Sequence, residues 1–203
     1  MVLGSKTVHS HLHYCYRFSV ALLSVAKDSV ITLQKTLTTS FFCGSISTLD
    51  TDTFVVSTVY NKPPVRTIDV HGNEGEIQHK LLPDKTYSNI WDSACAYIPQ
   101  TKTLVFSDHD QHTVYMCDLT SGDGHVIKND KIRSPRGVCA GPGGTVFVCS
   151  MGTRSVLQLS PQGDVLASHS VDVGYLPVIS VSKDHKRVVV GKSSGQIKQF
   201  SIV

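Results

Sequence analysis

The segment Ile132–Ser160, IRSPRGVCAGPGGTVFVCSMGTRSVLQLS, decides the fold. Pro135 to Ala140 enters a first short strand, and Gly141-Pro142-Gly143-Gly144 turns it. Val146-Phe147-Val148-Cys149 makes a second strand, Met151 to Arg154 a loop, and Val156-Leu157-Gln158-Leu159 a third. The turn Pro161-Gln162-Gly163-Asp164 then leads into a fourth strand from Val165 to Ser168. Four strands within about 40 residues make one blade of a β-propeller if the pattern recurs.

It recurs in both directions. Second strands begin at Phe54, Leu104, Val146 and Val188, spaced by 50, 42 and 42 residues. Third strands begin at Val65, Val114, Val156 and Ile197, spaced by 49, 42 and 41. Two independent landmarks share one period, and no helical periodicity competes with it. The expected fold is all-β: a propeller of four-stranded antiparallel blades, in an incomplete ring of about four to five blades. Residues 1–16 read as an irregular or frayed lead. Residues 17–203 read as the partial propeller, with a half blade at 17–40 and blades at 41–82, 90–128 and 132–170. A last, three-stranded unit occupies 175–203. A ring of about six blades needs roughly two more, by the length of such repeats, so the strand count predicts a fragment of a longer ring.

Composition fits this reading. Apolar residues make up 40% of the 203 and charged residues 17%, which favours a strand-rich globular chain over a disordered one. A net charge of +3 gives no general attraction to nucleic acid or membrane. No stretch reaches the length of a membrane span. The cysteines Cys15, Cys43, Cys95, Cys117, Cys139 and Cys149 form no C-x-x-C pair, and several sit within apolar strand patterns as buried thiols. With no N-x-S/T sequon, this points to a cytoplasmic chain without a disulfide framework.

Ser134-Pro135-Arg136-Gly137-Val138, the Gly-rich turn, Val146-Phe147-Val148 and Val156 to Gly163 together closely resemble the NHL repeat. Leu176-Pro177-Val178 and Gly195 to Phe200 look like a degraded second copy. The family most resembled is the tripartite-motif proteins that carry a C-terminal NHL propeller. That resemblance implies a non-catalytic platform binding a protein partner, as the substrate-targeting part of a ubiquitin-ligase-type protein. The RING, B-box and coiled-coil segments of that family have no counterpart here, so the ligase chemistry does not carry over. Some members bind single-stranded RNA, which is the alternative partner; neither DNA nor membrane is expected.

Propeller topology sorts the loops onto two faces. Loops between second and third strands, together with the inter-blade segments, form the face that carries partner contacts in the resembling family. It holds eight basic against six acidic residues, with the basic ones concentrated at 128–136 and 154. The candidate binding residues are Tyr60, Lys62, Trp91, Lys131, Arg133, Arg136, Arg154 and Tyr175. Arginines and aromatics there suit a protein interface, or base stacking beside phosphate contacts.

Catalytic motifs are weak. Asp108-His109-Asp110 and Asp184-His185 fall where turns are expected, and aspartate favours turns through its own backbone hydrogen bonds. Gly191-Lys192-Ser193 lacks the first glycine of a phosphate loop and the helix that follows one. His9, His11 and His13 alternate within the lead. The inner strands offer Asp92, Ser45, Arg136 and Gly137 but no recurring carboxylate, which disfavours a lactonase-type metal centre. The expectation is a non-enzymatic chain with no cofactor and no metal.

Overall fold

The computed structural model describes residues 14–15, 18–26, 30–90, 92–171, 178–191 and 195–202. They form five antiparallel sheets. The first contains β1 (Tyr14–Cys15), β2 (Ser19–Val25) and β3 (Ile31–Thr38). The second contains β4 (Phe42–Thr48), β5 (Thr53–Val59), β6 (Val65–Asp69) and β7 (Glu74–Glu76). The third contains β8 (Ser93–Ile98), β9 (Thr103–Asp108), β10 (Thr113–Asp118) and β11 (Gly124–Ile127). The fourth contains β12 (Pro135–Ala140), β13 (Val146–Ser150), β14 (Ser155–Leu159) and β15 (Val165–Ser170). The fifth contains β16 (Val178–Val181), β17 (Arg187–Gly191) and β18 (Ile197–Ser201). Within every sheet the strands pair in sequence order, as the meander of a propeller blade requires. Four to five antiparallel blades were expected, and the architecture is that of a β-propeller built from antiparallel sheets.

The core lies between the sheets. One buried cluster joins the first sheet to the second through Val20, Leu22, Leu37, Phe54 and Val56. The next joins the second to the third through Val55, Val65, Leu104 and Phe106. Val105, Val114, Val146, Val148 and Leu157 join the third to the fourth. Phe147, Cys149, Ile179, Val188 and Val190 join the fourth to the fifth. Alternation decides which neighbour each residue meets: Phe54 and Val56 face one way and Val55 the other, and Val146 and Val148 oppose Phe147 and Cys149. A middle strand is therefore covered on both sides. This explains why β5, β9 and β13 read as continuous apolar runs.

The outer strands depart from the sequence reading. In the blade expected at 41–82, the fourth strand is only Glu74–Glu76. Beyond it the chain leaves the ladder, and Ile77, Leu81 and Leu82 pack against the cluster between the second and third sheets. Lys80 Nζ meets Asp123 Oδ1 at 2.7 Å. In the first sheet β3 runs from Ile31 to Thr38, and Tyr14–Cys15, at the end of the expected irregular lead, adds a strand ahead of the half blade expected at 17–40. At the turn into β15, Gly163 has φ +92°, and a Cβ there would lie 2.8 Å from Ile127 Cδ1, so glycine serves both the turn and the packing.

Cys95, Cys117, Cys139 and Cys149 are free thiols. Burial raises Cys95 to about 11 and Cys117 and Cys139 to about 12, and it raises Cys149 as well. At pH 8 iodoacetamide should therefore leave Cys95, Cys117 and Cys149 unmodified in the folded chain and label them rapidly in urea, as read by peptide mapping. Fast labelling without denaturant would contradict the burial. The folded pKa values lie above the unfolded value of about 8.5. These thiols thus contribute full stability below that pH, and the contribution is lost as pH rises through the folded values.

Candidate functional site

The loop face is a real grouping in space. Tyr60 N–H donates to the carbonyl of Tyr87 at 2.8 Å, tying the β5–β6 loop to the segment leading into β8. Lys62 Nζ pairs with Asp84 Oδ1 at 2.8 Å across the same gap. Further round, Ser134 N–H donates to His112 Nδ1 at 3.0 Å, and Gly152 N–H to the carbonyl of Arg133 at 2.8 Å. Val171 N–H donates to the carbonyl of Arg154 at 2.8 Å. The β5–β6, β9–β10 and β13–β14 loops are thus each stitched to an inter-blade segment, which fixes this part of the face as a surface.

The expected binding residues divide into separate groups. Tyr60 and Lys62 sit over the second sheet. Tyr60 is 64% exposed and holds φ +61°, so its ring is presented outward by a left-handed backbone. It meets the Phe42 ring edge-on at 5.7 Å, and Phe42 meets Phe18 at 5.6 Å. This aromatic row was not read from the sequence; its signal was the pair Phe41-Phe42, of which Phe41 is fully buried and its neighbour turns outward. Lys131, Arg133 and Arg154 gather over the fourth sheet and are exposed. Ser150 Oγ accepts from Arg133 N–H at 2.8 Å and donates to the carbonyl of Lys131 at 2.7 Å, which holds their backbone, while Arg133 pairs with Asp130 at 3.0 Å. Arg154 has φ +51°. Trp91 and Tyr175 lie outside the described residues, as do Lys192 and the three N-terminal histidines.

Arg136 belongs elsewhere. It lies on β12 at a bulge between Pro135 and Val138, and β4 carries a matching bulge between Cys43 and Ile46. Both irregularities face a central cavity of about 220 Å³ lined by Ser45, Ser93, Cys95, Arg136 and Ile179, among others. Bulges re-aim side chains, and here they act on the innermost strands. Hydroxyl groups stitch neighbouring sheets beside this channel: Cys95 N–H donates to Ser45 Oγ at 2.8 Å, and Ser107 Oγ donates to the carbonyl of Arg136 at 2.7 Å.

Asp108 corrects a loop assignment. It is the last residue of β9 and is fully buried. Its carboxylate accepts from Lys85 Nζ at 3.0 Å, from Tyr87 Oη at 2.9 Å, and from the backbone N–H groups of Asp110 and Gln111 at 3.1 and 3.0 Å. Burial and the neighbouring Asp108 charge push the Tyr87 hydroxyl far above its ordinary range. Aligning Phe54, Leu104 and Val146 puts Asp108 level with Thr58 and Ser150, short polar residues that likewise bond the loop beyond their strand, Thr58 to the carbonyl of Pro63 and Ser150 to the Thr153 hydroxyl. The turn reading holds for His109-Asp110, and for Asp184, whose Oδ1 accepts from Lys186 N–H at 3.2 Å.

No family model and no curated protein sequence matches the chain. Among solved structures it is similar in fold to virginiamycin B lyase from Staphylococcus aureus, at 13% identity and a TM-score of 0.58 over 91% of this chain and 66% of that one. It is similar to a chain of the nidogen/laminin complex at 12% identity and a TM-score of 0.71, over 94% of this chain and 73% of that one. A functionally unknown protein from Desulfotomaculum acetoxidans DSM 771 matches at 17% identity with a TM-score of 0.57, over 94% and 66% of the two chains. The chain thus spans just under two thirds of the lyase. At these identities the likeness shows the propeller fold and nothing finer, and that fold serves an enzyme in one neighbour and a protein complex in another.

Proposed function

We propose that this chain is a non-catalytic interaction platform that binds a protein partner through its loop face. In this reading it is the targeting end of a cytoplasmic protein of the NHL tripartite type. The observation that carries the proposal is the presented row Phe18–Phe42–Tyr60, with Tyr60 64% exposed and fixed by its backbone bond to Tyr87. A rigid exposed aromatic is the kind of residue that anchors an interface. The basic group Lys131, Arg133 and Arg154 over the fourth sheet provides the polar side of such an interface. The nidogen/laminin complex shows that a propeller of this shape takes part in a protein complex, which supports the reading by analogy.

The partner class is tested by salt. Bound protein is expected to survive high salt on the wild-type chain and to be lost from Tyr60→Ser, because the aromatic contact is not ionic. If single-stranded oligonucleotides bind instead, affinity should fall steeply as salt rises and fall further in Arg154→Glu. Saturable, salt-sensitive oligonucleotide binding that ignores Tyr60→Ser would contradict the protein reading.

A further inference from the structure

We propose that Asp92, His109 and Asp110 bind a divalent transition-metal ion at the mouth of the central channel, in competition with Arg136. Asp92 lies one residue before β8 and His109 one residue after β9. Because Ser93 pairs with Asp108, these two residues extend the ladder and face each other across it. His109 N–H donates to the carbonyl of Asp92 at 3.0 Å, which locks the pair together. One ligand atom from each of Asp92, His109 and Asp110 lies within 4.8 Å of the other two.

The independent observation is the state of Asp92. It is only 9% exposed, yet among the described residues its side chain receives one hydrogen bond, from Ser88 Oγ, and that bond is 3.4 Å long. Among the described residues no basic side chain pairs with it. Buried carboxylates are paired or coordinate metals, because an isolated one is strongly penalised by loss of water. The neighbouring Asp108 satisfies that rule fully through Lys85 and Tyr87, which leaves Asp92 as the exception. A divalent ion would supply the missing charge.

One imidazole nitrogen and two carboxylates suit Zn²⁺ or Mn²⁺ better than Ca²⁺ or Mg²⁺, which prefer all-oxygen shells. Three protein ligands leave further coordination positions for water or a small ligand. The ligand atoms must close from their present spacing, and the His109-Asp110 turn, with Asp110 exposed, has room to do so. Arg136 is the competitor. Its Nη2 lies 3.4 Å from His109 Nε2, while His109 Nδ1 lies 3.0 Å from Asp110 Oδ1. That arrangement is satisfied by an imidazole protonated on Nδ1. A metal on Nδ1 moves the proton to Nε2, where it would face the guanidinium, so metal entry must displace Arg136.

This coupling makes the site testable by direct binding. Calorimetric titration of the purified chain with Zn²⁺ should show one site. His109→Ala should weaken that site at least about tenfold, by the usual sensitivity of metal sites to their immediate surroundings. Arg136→Gln should tighten it by about tenfold or more, because the guanidinium 3.4 Å from His109 Nε2 opposes a divalent ion at this imidazole. Mg²⁺ should not compete. Circular dichroism on each variant separates loss of the site from loss of the fold; if His109→Ala unfolds, His109→Gln takes its place. Absence of a Zn²⁺ site in the folded wild type overturns the proposal. So does Zn²⁺ binding unaffected by the His109 variant, which would assign the ion to other histidines, and so does weaker binding in Arg136→Gln.

Discussion

Replacing Phe106 with alanine should lower stability by about 4 kcal/mol, the usual cost of deleting a buried aromatic side chain and leaving its cavity. Phe106 is fully buried and meets Tyr87 edge-on at 5.6 Å and Tyr115 at 6.3 Å. It stands in the cluster that joins the second sheet to the third, and the buried clusters in this chain lie between sheets. In stacked repeats stability is approximately a sum of unit and nearest-neighbour interface terms. Weakening one interface should therefore split the unfolding transition as well as shift it. Urea titration of Phe106→Ala is expected to show two steps where the parent shows one. Leu166→Ala, at a side chain 56% exposed on β15, should stay within about 0.5 kcal/mol of the parent. A single, barely shifted transition for Phe106→Ala would contradict the placement of the core.

Asp108→Ala should cost about 3 kcal/mol, the lower end of the penalty for removing one partner of a buried ion pair. The loss has definite parts. Lys85 Nζ and the Tyr87 hydroxyl each lose their acceptor, and the N–H groups of Asp110 and Gln111 lose the bonds that shape the turn. Asp108→Asn keeps the shape and loses the charge, so it should fall between the parent and the alanine variant. Combining Asp108→Asn with Tyr87→Phe should cost less than the sum of the two, because the second change removes a hydroxyl already poorly served. Strict additivity in this cycle, measured by denaturant unfolding, would show that the contact is not energetic. Since this turn also carries His109 and Asp110, Asp108→Ala should weaken Zn²⁺ binding along with the fold.

These two residues illustrate what the sequence discloses. Phe106 was legible as core because β9 is covered on both faces, and a doubly covered strand is written in continuous apolar residues. Asp108 was not, because a turn aspartate and a buried aspartate are the same letter. Only the alignment of strand ends with Thr58 and Ser150 hints at its role. Outer strands were legible poorly: Glu74–Glu76 and the Gln34–Thr36 part of β3 have water on more than one side, so no alternation marks them. The loop face followed from topology once the period was known. The approach of Asp92 to His109 did not, because it depends on a register one residue beyond the end of a ladder. The division of the expected basic surface, with Arg136 drawn inward to the channel, depends on a bulge whose position a period of about 42 residues does not specify.

If the loop face is the binding surface, substitutions on the two faces of the propeller should have opposite consequences. Partner binding should be measured for Tyr60→Ser combined with Arg154→Glu, and for Lys102→Glu combined with Lys183→Glu on the opposite face, each variant first shown to unfold at the parent's midpoint. The first pair should abolish binding and the second should leave it unchanged. Binding retained by the first pair and lost in the second would contradict a binding surface on the loop face.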